Sequence, residues 1–156
     1  MPLRSTWKVQ TIALAYRDIC QGQMPWVALG NFMNEWFDYS LDSRESLIID
    51  ELPIPEQETQ ETLQWAAFCA AAVEYLYEQY QVSCPAWVDH PKYVLPEKWL
   101  AVEHPELLST RGRDHRITTT PATFAKRNIY CGDRVFANKY EFAKAFRERK
   151  IAPQSL

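Results

Sequence analysis

The side chains with the widest chemical repertoire are three histidines, His90, His104 and His115, and four cysteines, Cys20, Cys69, Cys84 and Cys131. A structural zinc site draws on close pairs, roughly two to four residues apart for cysteines and three to five for histidines. Here no CxxC occurs, and His90 and His104 stand fourteen positions apart, each followed by proline. Proline after histidine sets loop geometry and supplies no ligand. Neither a metal site nor a cofactor is expected.

Asp114-His115 resembles the base and orienter of a hydrolase, with Ser109 or one of Thr118, Thr119 and Thr120 as nucleophile. Triad geometry is assembled across a fold, and chain neighbours seldom orient each other in that way. No G-x-S-x-G, HExxH or glycine-rich phosphate loop is present, and four glycines in 156 residues leave little for a backbone cradle. The acidic pairs Asp50/Glu51 and Glu56/Glu58 read as a solvated loop and a helix N-terminus. Trp87, Tyr93 and Trp99 have the makings of a ligand cage, but their irregular, proline-broken spacing fits core anchors better. No catalytic residue is assigned, and an enzyme is the third-ranked expectation.

Charge is the stronger signal. Residues 1–83 hold four basic and twelve acidic side chains, whereas residues 84–156 hold thirteen basic and eight acidic, so the net −3 hides two opposed halves. Arg111, Arg113 and Arg116 fall around Gly112, with Lys126, Arg127 and Asn128 a short way on and Arg134 beyond. Guanidinium forks suit carboxylates and phosphates. Arg111, Arg113, Arg116, Lys126, Arg127 and Asn128 are therefore the expected partner-binding surface. Nucleic acid is the second choice of partner for this basic 111–134 surface: the pI is about 5.6, and no helix-turn-helix, zinc-finger or RNP-like pattern accompanies it. A third reading pairs the arginines with the chain's own acidic half.

The elements that must position these residues are mostly helical. Val9, Ile12, Ala13, Tyr16 and Ile19 recur at helical spacing and predict a helix over about 5–19, capped by Ser5 or Thr6 and ended by Gly22. Pro25 opens a second helix through about Phe37. Leu47-Ile-Ile49 is short, with helix favoured because Asp42 or Ser43 can cap it. The longest helix is expected over about 56–80, its first turns carrying Glu56, Glu58 and Glu61 and its small face running through Ala66, Ala67, Ala70, Ala71 and Ala72. Prolines 85, 91, 96 and 105 then break the chain into aromatic pieces that read as an ordered wrap. Residues 109–120 read as a polar stretch turning at Gly112, Pro121 as the start of a short helix, Ile129-Tyr-Cys131 as extended, and about 139–149 as a last helix capped by Asn138.

The fold class expected is thus mostly α: one domain over 1–156, a helical core of three long helices (1–83) wrapped by a Pro-rich irregular half with short helices (84–150), and a flexible tail (151–156). Composition is that of a globular chain, with 47% hydrophobic and 24% charged residues. The start of the sequence has no apolar signal core and no apolar run reaches the length of a membrane span, so a reduced, cytoplasmic protein with its thiols mostly buried is expected, with no membrane partner.

Four segments taken together, Trp26-Val-Ala-Leu-Gly-Asn-Phe32, Trp65-Ala-Ala-Phe68, Pro85-Ala-Trp-Val88 with Pro91-Lys-Tyr93, and Thr120-Pro-Ala-Thr-Phe-Ala-Lys-Arg-Asn-Ile129, resemble an uncharacterised family of short bacterial proteins. The resemblance implies an antitoxin-like partner of nucleotidyltransferase-like toxins, with no catalytic residues. The chain departs from that pattern at Asn138-Lys-Tyr140, and no DNA-binding module precedes the match. The expected function is a non-enzymatic protein-interaction module, toxin-neutralising or regulatory, whose partner is another protein.

Overall fold

The computed structural model describes residues 9–136. The Ser5 or Thr6 cap, the last helix expected over about 139–149 and the tail lie outside the described residues. Within them the chain is mostly helical, with one two-stranded sheet.

The first described helix, α1 (Ile12–Cys20), begins where Thr11 Oγ1 accepts the Leu14 amide, and residues 9–11 are not helical. A side-chain cap at Thr11 thus outranks the apolar spacing that carried the expected helix back past Val9, which is exposed. Gly22 follows the end of α1 at φ +104, a left-handed conformation that glycine adopts without strain. Pro25 sits at the first position of α2 (Pro25–Asn34), which runs on into a π-turn over Glu35–Tyr39. That turn is held by the Ser40 amide donating to Glu35 O at 2.8 Å, and the buried Glu35 carboxylate accepts from Ser40 Oγ and from the Gln10 amide. Arg44 covers it. Its Nε donates to Trp36 O at 2.9 Å, while its guanidinium lies 5.1 Å from the Trp36 ring and 4.6 Å from the Tyr80 ring. Arg44 also starts α3 (Arg44–Ile48), whose Leu47 and Ile48 are buried.

The central element is α4 (Gln60–Tyr80), twenty-one residues long. It starts four residues later than the start expected at about Glu56, because Thr59 and Thr62 form a reciprocal capping box (Thr62 N to Thr59 Oγ1, 3.1 Å; Thr59 N to Thr62 Oγ1, 2.8 Å). Glu56 and Glu58 therefore precede the helix, and only Glu61 lies in its first turn. Residues 65–74 are buried without a break, so the alanine face is enclosed on all sides. Helix α1 packs against both α2 and α4.

The second half closes over α4. Short 3-10 turns at Ala86–Asp89 and Pro91–Tyr93 bury Val88 and Tyr93, and Trp87 donates its indole N–H to Ile48 O at 3.0 Å. Trp99 meets Trp65 edge-on at 5.0 Å, and Phe124 meets Phe68 at 5.2 Å. Each such ring pair contributes about 0.5–1.5 kcal/mol beyond its buried area. Trp87, Tyr93 and Trp99 are anchors in the core.

Strand β1 (Trp99–Leu100) pairs in parallel with β2 (Ile129–Tyr130), Trp99 opposite Ile129. Between them lie α5 (Thr110–Thr119) and α6 (Ala122–Ala125). The polar stretch expected to turn at Gly112 is instead helical: Ser109 Oγ accepts the Gly112 amide at 3.0 Å and starts α5 despite the absence of any apolar stripe. Pro121 stands one position before α6, at its cap. No described helix is long and apolar enough to cross a membrane.

Candidate interaction surface

The six residues expected to form one contact surface divide into two groups. Arg111 and Arg113 are exposed on α5, and no acidic side chain among the described residues pairs with either. Arg116, two turns into the same helix, is half-buried and donates through Nη1 to Cys131 O at 3.5 Å. Lys126 is exposed along much of its length, but its ammonium reaches Glu74 Oε2 at 2.5 Å.

Arg127 faces the core. It is 3% exposed, and its guanidinium donates to Glu74 Oε1 at 2.6 Å, Thr123 O at 2.8 Å and Val88 O at 3.0 Å. Three chain segments, α4, the 3-10 turn Ala86–Asp89 and α6, meet on this one side chain. Burial pushes the Glu74 carboxyl up, but the hydrogen bonds and charges of Lys126 and Arg127 outweigh it and hold Glu74 below the usual carboxylate range. Among the described residues, ion pairs between the basic and acidic halves form at Glu74 and, on the surface, between Lys92 and Glu51 at 3.8 Å. Asn128 is structural as well. It takes a left-handed backbone at φ 66, its Nδ2 donates to Leu95 O at 2.6 Å, and its carbonyl accepts the Trp99 amide at 2.8 Å, leading the chain into the parallel ladder.

What holds α5 in place lies at its C-terminal end. Thr120 Oγ1 donates to Arg116 O at 2.6 Å and accepts the Cys131 and Gly132 amides at 3.0 and 2.9 Å. Gly132 sits at φ +79, where a Cβ would lie 2.9 Å from Arg116 Cδ. Gly132→Ala is expected to cost at least about 2 kcal/mol, combining left-handed strain with displacement of Arg116. An unchanged urea midpoint for this variant would contradict the close packing of α5 on the chain after β2.

The hydrolase-like arrangement does not form. Ser109 Oγ is engaged at the α5 cap, Thr118 and Thr119 hydroxyls donate to helix carbonyls of Asp114 and His115, and the His115 ring is exposed. His90 Nδ1 accepts the Lys92 amide at 3.1 Å, and His104 Nδ1 lies 3.3 Å from Glu106 Oε1 on open surface. No three His, Cys, Asp or Glu side chains converge among the described residues. All four cysteines are free thiols: Cys69 and Cys131 are buried, Cys20 is intermediate and Cys84 is exposed. Burial pushes the Cys131 thiol up to about 12 and raises Cys69 as well. Native-state alkylation followed by mass spectrometry should label Cys84 first, with Cys69 and Cys131 at least about 100-fold slower. Equal rates would mean that α4 is not enclosed as described.

Beside α5 a cavity of about 380 Å³ opens between the start of α2, the chain after β1 and the chain after β2. Trp26, His104, Leu108, Arg116, Arg134 and Val135 are among its walls. Sequence spacing gave no reason to group Trp26 with arginines ninety and more positions away; only the closure of the second half over α4 does so.

No protein-family model, curated protein or solved structure gives a match to this chain.

Proposed function

We propose that the protein is an interaction module that captures an acidic protein partner through α5, with Arg111 and Arg113 as the principal contacts and Arg116 and Lys126 at their edge. In this reading α1, α2 and α4 are the scaffold, and the Pro-rich half presents the basic helix. Arg127 and Asn128 serve the surface only by fixing the chain that follows it.

The observation that carries the reading is the cost at which α5 keeps its arginines. Arg111 and Arg113 lie in its first turn, which contains no acidic residue, so their charge opposes the helix dipole by about 0.3–1 kcal/mol each. Gly112 between them is the residue whose amide Ser109 caps, and a Cβ there would lie 3.3 Å from Ser109 Oγ. Neither Arg111 nor Arg113 is buried, so packing does not explain these two side chains. Two unpaired guanidinium forks on a helix that local stability would build differently are accounted for by an anionic partner. The toxin-neutralising or regulatory role, and a bacterial cytoplasmic setting, extend this reading on the strength of the sequence resemblance alone.

Affinity capture from the source cell, with and without nuclease, tests it. A discrete protein retained by the wild type after nuclease treatment and lost with Arg111→Glu/Arg113→Glu is the expected result. Retention that vanishes with nuclease would transfer the surface to nucleic acid, and retention by the double variant would remove it from α5.

A further inference from the structure

We propose that the cavity lined by Arg116 and Arg134 binds a carboxylate carried on a small apolar body. Its volume, about 380 Å³, lies near the lower end of the range for small-molecule sites, roughly 300–1,000 Å³. The walls divide by chemistry. Trp26, Leu108 and Val135 supply apolar surface, and the Trp26 ring is fixed by edge contacts to Trp65 at 5.4 Å and Phe68 at 5.5 Å. Arg116, Arg134 and His104 line the same space. Arg134 makes no ion pair among the described residues, and Arg116 uses only one long hydrogen bond, to Cys131 O. Most of the donors in the two forks therefore remain available, and a carboxylate accepts two such donors side by side.

The one opposing wall residue is Glu103, which forms no ion pair with either arginine and leaves the lining with an excess of positive charge. A second anion brought to two guanidinium groups is favoured over a neutral group of the same shape. A dianionic phosphate fits less well, since it would meet Glu103 and leave the Trp26 wall uncovered. Two sources supply the chemistry: a free small acid, or the C-terminal carboxylate of a peptide ending in an apolar residue.

The full-length protein can be titrated with 3-phenylpropionate, with acetyl-glycyl-phenylalanine bearing a free carboxylate, and with the neutral 3-phenylpropanol, following amide and indole NMR shifts. Saturable shifts at the Trp26 indole N–H and at residues 101–104 and 131–135 are expected for at least one acid. The neutral alcohol should bind about tenfold more weakly, as should either acid to Arg134→Gln, each reflecting loss of a charge-assisted contact. Whichever acid binds more tightly names the source. Equal binding of acid and alcohol, shifts confined to other regions, or no saturation by either acid up to about 10 mM would overturn the proposal. Arg134 lies outside the α5 contact set, so partner capture by Arg134→Gln and acid binding by Arg111→Glu/Arg113→Glu separate failure here from failure of the interaction reading.

Discussion

Glu74→Gln is expected to destabilise the protein by about 3–5 kcal/mol, because it leaves the Arg127 cation buried without a counter-charge. For a chain of this size that lowers the melting temperature by about 10 °C or more. The side chain keeps its shape, so the loss measures charge and not cavity. Arg127→Met should cost a similar amount, since the buried Glu74 carboxylate then keeps only the half-exposed Lys126. The double variant should cost less than the sum of the two singles, because each residue is the reason the other can be buried. Recovery stays incomplete, as Val88 O and Thr123 O lose their donor. Additive losses in urea unfolding would show that the two groups do not act as a pair.

The same carboxylate sets an acid limit. Its pKa is held below the unfolded value, so the stabilisation is complete above the ordinary glutamate range, about 4.3, and is lost as pH falls through the lower folded value. Wild-type stability should therefore decline on the acid side of about pH 4.3, and Glu74→Gln should show a shallower decline there. Parallel curves for the two proteins would contradict the assignment.

The second large effect is functional. Arg111→Glu/Arg113→Glu should weaken partner capture by a factor on the order of 100, because reversal replaces two attractions with two like-charge contacts. Stability should hold or rise slightly. Glutamate in the first turns of α5 complements the helix dipole that arginine opposes, and neither side chain has a buried contact to lose. Reversing Arg116 is a poorer test, since its side chain bonds Cys131 O and packs over Gly132. Capture should also weaken as salt rises, because the contacts join exposed charges, which salt screens.

The core was the legible part of the sequence. Ile12, Tyr16 and Ile19 recur at helical spacing and are buried, and the alanines from Ala66 to Ala72 lie on the enclosed helix as their small size implies. Helix starts were harder, because side-chain hydrogen bonds set them: Thr11 overrides apolar spacing that runs back past Val9, and Thr59 leaves Glu56 and Glu58, expected in the first turns, ahead of the helix. The basic cluster was legible as charge but not as geometry. Arg127 and Glu74 are fifty-three positions apart, and composition treats a buried cation and a solvated one alike. A signal was present nonetheless. Glu74 stands four residues after Ala70 on the small-residue face, and Arg127 stands three after Phe124 and two before Ile129, all buried. A charge set into an apolar stripe points to a buried pair. Helix α5 had no such trace, since Ser109 and Thr120 hold its ends and nothing along it is apolar enough to mark a face.

Hydrogen exchange of the protein alone and with its captured partner tests the central claim most directly. The ten amides of α5, on a helix with no buried residue, should exchange early in the free protein and become protected in the complex. Protection over 110–119 that disappears with Arg111→Glu/Arg113→Glu is the predicted result. A partner that protects α2, α3 or the chain around 50–59 and leaves 110–119 unchanged would contradict it.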